Sequence, residues 1–392
     1  MIPYGKHSVN WRDVFAVARQ TGTGTLTQGN RISDFENSVA NYVGVKYAVA
    51  VSSATAGLHL SLLALNLDEG SKVITSPISF VASANSSFYA KLTPKFVDIE
   101  SSTININPSA IKRSLASSKD VRAIVPVHYG GMTCDMFEIS QIAKKDNLRV
   151  VEDAAHALGA RYESGEMVGS CTYSDATVFS FHPVKSITTG EGGMITTNDK
   201  DVYLRLLRLR SHGINKLDDQ FENLELALTN DGVNPWYYEM MTLGYNYRLS
   251  EIQAALGMSQ MKRIDNFIQK RNKLADKYDE AFDGTPNITI AQRPKKDMSS
   301  RHIYVLRFNF EKLKKSRNQV MQELRNSGIM TQVHYIPIPL QPYYSRMGYN
   351  MEELPEAATF YNQALTIPLF PDLKKREQKR IISAVIKIAS GK

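Results

Sequence analysis

Between about residue 30 and about residue 200, short apolar segments of strand length alternate with segments whose apolar residues recur at helical spacing. Tyr47 to Val51, Lys72 to Thr75, Pro94 to Ile99, Arg122 to Val127 and Leu148 to Val151 read as strands. Phe35, Val39 and Val43 share one helical stripe, and Leu58, Leu62 and Leu65 share another. This alternation predicts an α/β fold with a mostly parallel sheet covered by helices on both faces. Ligands in such sheets collect where strand ends meet loops.

The pattern changes after Gly213. Residues 214–240 are polar and irregular and hold Trp236, Tyr237 and Tyr238. A long helix is expected from Ser250, with Gln253 placed to complete a capping box and Ile252, Ala255, Leu256, Met261, Ile264 and Ile268 on its buried side. The turn Asp283-Gly284-Thr285-Pro286 leads into a smaller unit, with a strand near Ile303 to Phe308 and helices near Ser316 to Ser327 and Glu377 to Ala389. The expected division is a large α/β domain over 1–250 and a smaller α+β domain over 251–392.

Lys and Arg outnumber Asp and Glu by 47 to 39, a net charge of +8. The excess is spread out, and clusters such as Lys314-Lys315 and Lys374-Lys375-Arg376 read as solvated helix faces. A diffuse positive field favours a phosphorylated small molecule, and nothing matches a nucleic-acid module. Cys134 and Cys171 are too few for a disulfide framework or a cysteine metal site. The first residues lack an apolar signal core, and no apolar run has membrane-spanning length. The expectation is a cytoplasmic protein without membrane or nucleic-acid partners and without a metal.

Chemistry concentrates in the stretch Phe179 to Gly193. Thr177 to Phe179 read as a buried strand, Pro183 breaks it, and Thr188-Thr189-Gly190-Glu191-Gly192-Gly193 turns the chain into a second strand, Met194 to Thr197. Lys185 thus sits in a loop at the end of a buried sheet element. That position suits a lysine with a lowered pKa and a nucleophilic task, though a snorkelling surface lysine is the plain alternative. Four further segments each have a plain reading of their own. Ser52-Ser53-Ala54-Thr55-Ala56-Gly57 is a strand-to-helix turn able to cradle an anion, or an ordinary capped helix. Asp153 leaves an apolar strand and needs a cationic or N–H partner, and His156 follows it at a returning spacing, or is a satisfied loop histidine. Phe80 can cover a planar ligand, or belongs to the core. Asn246 and Arg248 can reach a phosphate, or cap the next helix. A loop lysine, a cation-seeking carboxylate, an aromatic and a phosphate cradle are together the parts of a pyridoxal phosphate site.

These residues resemble the DegT/StrS family of nucleotide-sugar aminotransferases. The resemblance runs from Thr27-Gln28-Gly29 through Asn246-Tyr247-Arg248 to His334-Tyr335-Ile336-Pro337, with 214–240 least covered. Its most specific part is Ser180-Phe181-His182-Pro183-Val184-Lys185 followed by Thr189 to Gly193. Within the family the chain is most similar to the 4-aminotransferases of the pseudaminic acid pathway (PseC type), which carry Ile-Thr-Thr-Gly-Glu-Gly-Gly after this lysine. Ala54 stands where many relatives have Gly, and Ser186 where the PseC type often has Pro.

The resemblance implies an aspartate-aminotransferase-like (fold type I) architecture, usually a homodimer with shared active sites. It implies Lys185 as the Schiff-base lysine, Asp153 on the pyridine nitrogen and His156 near the cofactor's phenolic oxygen. Phe80 would lie against the ring, and Thr55, Ala56 and Ser180 would hold the phosphate. Asn246 would reach the phosphate of the partner subunit's cofactor. The implied activity is a two-stage (ping-pong) amino transfer from L-glutamate, which leaves as 2-oxoglutarate, through the aminated cofactor (PMP), to a UDP-linked 4-keto-6-deoxy-N-acetylhexosamine. Residues of 214–240, His334 and Tyr335 are candidates for substrate contact. Transfer to C3 of another keto-sugar, a cofactor-binding regulator without turnover and an amino-acid lyase stay open. A 3-dehydratase would carry His in place of Lys185.

Overall fold

The computed structural model describes residues 1–215, 221–230, 232–295 and 298–391. One sheet holds β1 (Tyr47–Val51), β2 (Lys72–Thr75), β3 (Thr93–Phe96), β4 (Val121–Val125), β5 (Arg149–Asp153), β6 (Ala176–Ser180) and β7 (Gly193–Thr197) in the order β1-β7-β6-β5-β4-β2-β3. β7 runs antiparallel to β1 and β6, while the other neighbours pair in parallel. The strands read as near-continuous apolar runs because both faces of the sheet are covered: Val49, Ala50, Val51, Val178, Phe179 and Ile195 are all fully buried.

Helices α1 (Trp11–Thr23), α2 (Asn30–Val43), α3 (Ala54–Ala64), α4 (Ala82–Tyr89), α5 (Pro108–Ser117), α6 (Met136–Asp146) and α7 (Lys200–Arg210) surround it. Phe35, Val39 and Val43 of α2 enter the core as expected, with Phe35 5.1 Å from Phe181 between ring centroids. α3 is buried all round rather than on the single face of Leu58 and Leu62, because it lies between the sheet and the helices α4 and α7.

The long helix expected from Ser250 is two helices, Glu251–Met261 and Ile264–Phe282, separated at Lys262 and Arg263. Its capping box is present: the Gln253 N–H donates to Ser250 Oγ, and Gln253 Oε1 accepts the Ser250 N–H. Ala255, Met261 and Ile264 are buried, but Ile252, Leu256 and Ile268 are only half-buried. The first helix instead turns Ala254 and Gly257 inward, and a Cβ at Gly257 would stand 2.6 Å from the Phe35 ring.

The second helix joins two cores. Ile264 and Phe267 belong to the core under the large sheet. Ala275, Tyr278 and Phe282 belong to a smaller core beneath the antiparallel strands Ile288–Ile290, Tyr304–Phe308 and Ala364–Ile367 and the helices Arg317–Asn326 and Lys375–Ala389. Ile2 also packs there and bridges Ile329. We therefore propose that the two domains meet along the Ile264–Phe282 helix, past the boundary expected at residue 250, and that the first residues of the chain dock on the smaller one. Among the described residues no helix is long and apolar enough to cross a membrane. Within 214–240, residues 216–220 and 231 lie outside the described residues.

Candidate active site

Strand register gathers the chemistry along one edge of the sheet. β1, β5 and β6 run the same way, so Val51, Asp153 and Ser180 end at that edge, while the antiparallel β7 begins there at Gly193. Gly193 pairs with both Val51 and Ser180. A Cβ at Gly193 would lie 2.7 Å from both Ser53 C and Ala54 N, so only glycine lets the turn into α3 press this close.

Within that turn Ser53 Oγ caps α3 by accepting the Ala56 N–H at 3.1 Å. The amides of Ala54 and Thr55 find no acceptor among the described residues, which leaves two first-turn donors and a helix N-terminus open to an anion. Thr55 lines the pocket in front of them.

The loop from β6 to β7 is stapled to itself. Thr188 Oγ1 and the Thr189 N–H both donate to the Phe181 carbonyl, at 3.0 and 3.1 Å. The Gly190 N–H donates to Thr188 Oγ1 at 2.9 Å, with Gly190 at φ +83°. Gln253 Nε2 donates to the Glu191 carbonyl at 2.8 Å. Lys185 stands on this fixed support and lines the pocket. Burial pushes its amine down to about 8 from 10.5, with Asp153 opposing the shift and Arg271 adding to it. Such a lysine holds about 300-fold more free amine near neutral pH than an unperturbed one.

Asp153 is the last residue of β5 and only 5% exposed. Ser83 Oγ donates to its Oδ2 at 2.6 Å, and the Ala155 N–H to its Oδ1 at 3.1 Å. Ser79 Oγ backs Ser83 at 2.6 Å. His156 is buried nearby: its Nδ1 accepts the Gly130 N–H at 3.3 Å, so Nε2 carries the proton and faces the Tyr335 hydroxyl at 3.1 Å. Burial first, then Lys185, His334 and Arg271, hold the His156 pKa well below 6.5, so the ring is neutral. Burial chiefly also keeps the Tyr335 phenol protonated.

Phe80 is not a core residue. It is 59% exposed and lines the pocket, because it precedes α4 in the turn that leaves the sheet edge. A cavity of about 530 Å³ brings together Thr55, Phe80, Asp153, His156, Ser180 and Lys185, and His334 and Tyr335 line it too. Ala56 and Asn246 do not line it, and Asn246 is expected at the partner subunit's cofactor rather than in this cavity. Ala56 commits its N–H to Ser53 and does not reach the cavity. Asn246 is exposed, bridges Ser211 and does not line the cavity of this chain. Arg248 and the described residues of 214–240 do not line it either. Sequence reasoning did not assign Ser83, whose spacing of four from Ser79 on a helix entry is a usable signal. It also missed Tyr4, Gly5 and His302, which line the cavity from distant segments and carry no local signal.

This donor set fits pyridoxal phosphate on its own terms. Two free first-turn amides suit a phosphate, a buried carboxylate suits a protonated ring nitrogen, and an amine with a lowered pKa suits an aldehyde. The profile of the DegT/DnrJ/EryC1/StrS aminotransferase family matches residues 11–386. The chain is 36% identical to the spore coat polysaccharide biosynthesis protein SpsC of Bacillus subtilis, over 100% of this chain and 97% of that one. It is 34% identical to the UDP-4-amino-4,6-dideoxy-N-acetyl-beta-L-altrosamine transaminase of Campylobacter jejuni, over 99% and 97%. The solved structure of Helicobacter pylori PseC, an aminotransferase involved in the biosynthesis of pseudoaminic acid, superposes with a TM-score of 0.89 at 32% identity, covering 99% of each chain. A Streptococcus pneumoniae protein described as a putative sugar aminotransferase, Spr1654, superposes at 28% identity in both a PMP-form (TM-score 0.89) and a PLP-form (TM-score 0.88). With its sheet order, its lysine loop and this match along almost its whole length, the chain belongs to the DegT/DnrJ/EryC1/StrS aminotransferase family and is a pyridoxal-phosphate-dependent nucleotide-sugar aminotransferase.

Proposed function

We propose that the protein carries an amino group from L-glutamate to C4 of a UDP-linked 4-keto-6-deoxy-N-acetylhexosamine. One observation carries the chemical part: Lys185 and Asp153 face one cavity, with Phe80 at its mouth and two unpartnered amides of α3 beside it. The sugar rests on the likeness to the Campylobacter jejuni transaminase and to PseC.

In this reading Ser180, Thr55 and the Ala54 and Thr55 amides hold the cofactor phosphate, and Phe80 covers the ring and excludes water. Bound pyridoxal phosphate supplies an electron sink that makes the donor's α-proton removable and carries the nitrogen between the two substrates. Asp153 keeps the proton on the ring nitrogen, oriented by Ser83 and the Ala155 amide. Lys185, once displaced, takes the α-proton at its Nζ and returns it, a task suited to an amine with its pKa near 8. Neutral His156 donates through Nε2 to Tyr335, which leaves the phenol's own proton free to point into the cavity.

We also propose that the working unit is a pair of chains. α1 buries Asp13 and Gln20, with Asp13 paired to Arg263, and turns Trp11, Val14 and Phe15 to solvent at 71%, 61% and 61% exposure. Trp236, Tyr238 and Leu243 are also exposed, in the same segment of chain as the exposed Asn246. Apolar surface of this extent asks for a partner, and a second copy would allow Asn246 to serve the other site.

The test is incubation with L-glutamate and a panel of UDP-4-keto and UDP-3-keto sugars, with products read by NMR. A 4-amino product is expected. A 3-amino product from the same panel replaces the proposed substrate, and no amino transfer to any sugar, despite a spectral response to glutamate, removes it.

A further inference from the structure

Arg271 lies on the Ile264–Phe282 helix between Phe267 of the large core and Ala275 of the small one. It is 1% exposed and has no carboxylate partner among the described residues. Its guanidinium donates to three carbonyls instead. Nη1 reaches His302 O at 2.9 Å and Leu369 O at 3.1 Å, and Nη2 reaches Val184 O at 3.4 Å, the outer limit of a hydrogen bond. Nε has no partner among the described residues. Burying a cation without a counter-ion is costly, and what this arginine gains in return is its three bonds to carbonyls. The reason for an arginine here therefore lies in which carbonyls it joins.

The three carbonyls belong to separate parts of the molecule. Val184 immediately precedes Lys185 on the loop of the large domain, while His302 and Leu369 flank strands of the small one. We propose that Arg271 is a positioning residue for Lys185: it ties the peptide beside the nucleophile to the small domain and sets a fixed positive charge behind it. The proposal rests on Lys185 being the nucleophile, as argued above.

The groups that face Lys185 are Asp153, His156, His302, His334 and Arg271. Burial first keeps His156 and His302 well below 6.5 and brings His334 down to about 4, so all three are uncharged near neutral pH. Burial also lowers Arg271, but only to about 10, and it stays charged. Lys185 therefore sits between one negative and one positive group, and the positive one disfavours a second ammonium. Tyr335 adds a protonated phenol.

The full-length chain, stripped of cofactor, is acetylated with acetic anhydride across a pH series, and the label on Lys185 is read by peptide mass spectrometry against that on exposed Lys91. Wild type is expected to show a midpoint near 8 at Lys185. Arg271→Met removes the charge and should raise that midpoint by about half a unit or more. Arg271→Lys keeps a charge but not the fork. It should hold the midpoint near the wild-type value while amide hydrogen exchange over residues 184–188 speeds up about tenfold. A midpoint unmoved in folded Arg271→Met overturns the proposal. If that variant does not fold, Arg271→Lys with wild-type exchange in the loop overturns it instead. Borohydride reduction of the wild type with pyridoxal phosphate separates the two readings. Label on a lysine other than Lys185 removes the nucleophile assignment itself, whereas label on Lys185 with an indifferent Arg271 removes only this proposal.

Discussion

Replacing Asp153 by Asn changes one atom of the site and separates two effects that usually move together. The carboxylate is 5% exposed and accepts from Ser83 Oγ at 2.6 Å and the Ala155 N–H at 3.1 Å. Asn keeps the second bond through its Oδ1. Its amide can donate to Ser83 Oγ, whose proton then turns to Ser79 Oγ 2.6 Å away. The fold should therefore lose no more than about 1 kcal/mol. What disappears is the charge. Asp153 raises the Lys185 pKa, so its loss lowers that pKa further below about 8, and covalent loading with pyridoxal phosphate should be undiminished at neutral pH. The ring nitrogen, however, loses its ionic acceptor in a water-poor site, worth about 3 kcal/mol, or a hundred- to thousandfold in rate. Loading followed by absorbance and a rapid-mixing single turnover with L-glutamate measure the two effects separately. A variant that loads normally but turns over at least a hundredfold more slowly is expected. Single-turnover rates within about fivefold of wild type, or a loading midpoint that rises, would refute the assignment of Asp153.

Three other perturbations have definite expected outcomes. Gly193→Ala puts a Cβ 2.7 Å from Ser53 C and Ala54 N, so the first turn of α3 must shift, and equilibrium dialysis should show pyridoxal phosphate bound at least about tenfold more weakly. Glu152→Gln replaces a fully buried acceptor of His128 Nε2 (2.7 Å), Tyr162 Oη (2.7 Å), Ser174 Oγ (2.5 Å) and Thr177 Oγ1 (3.0 Å). His128 cannot turn, because its Nδ1 accepts the Cys134 N–H, but the Gln Oε1 can accept from its Nε2 while the NH2 donates to the Ser174 and Thr177 hydroxyls, so urea unfolding should register a loss of no more than about 1 kcal/mol. The cofactor-free chain should lose stability as pH falls below about 6.5. There the unfolded state takes up protons that His156, His302 and His334 refuse in the folded state, giving a slope of up to about 4 kcal/mol per pH unit. Glu152 adds to this only at lower pH: burial alone would raise its pKa, but the bond from His128 and its other donors bring it below 4.5, so its contribution is present above that value and fades in acid. Urea melts with the same midpoint at pH 7 and pH 5 would count against neutral histidines in the folded chain.

What could be read from the residues follows a physical divide. Strands such as β1 and β6 were legible because burial on both faces writes them as mostly apolar runs, and the ends of β5 and β6 place Asp153 and Ser180 by register, with Lys185 in the loop that follows. The lysine loop was legible because its staples Thr188, Thr189 and Gly190 bond within the loop itself, which a short window can see, whereas the Gln253 contact to Glu191 comes from a distant helix. Periodicity failed at Lys262 and Arg263, where one apolar stripe continues across a helix break. It failed at Phe80 as well, since exposure there depends on how the turn leaves the sheet edge. It had no access to Tyr4, Arg271 or His302, which return to the site from remote segments through the small domain. Asn246 lies on the same side of that divide. In the proposed pair its role would need a second chain, so in one chain it is exposed and outside the cavity, and Trp236, Tyr238 and Leu243 of the same segment are exposed too. The parts of the site built from consecutive residues at strand ends are thus written locally. The parts that set its charge balance and complete its walls come from domain contact, and in the proposed pair from a second copy, so only tertiary structure can reveal them.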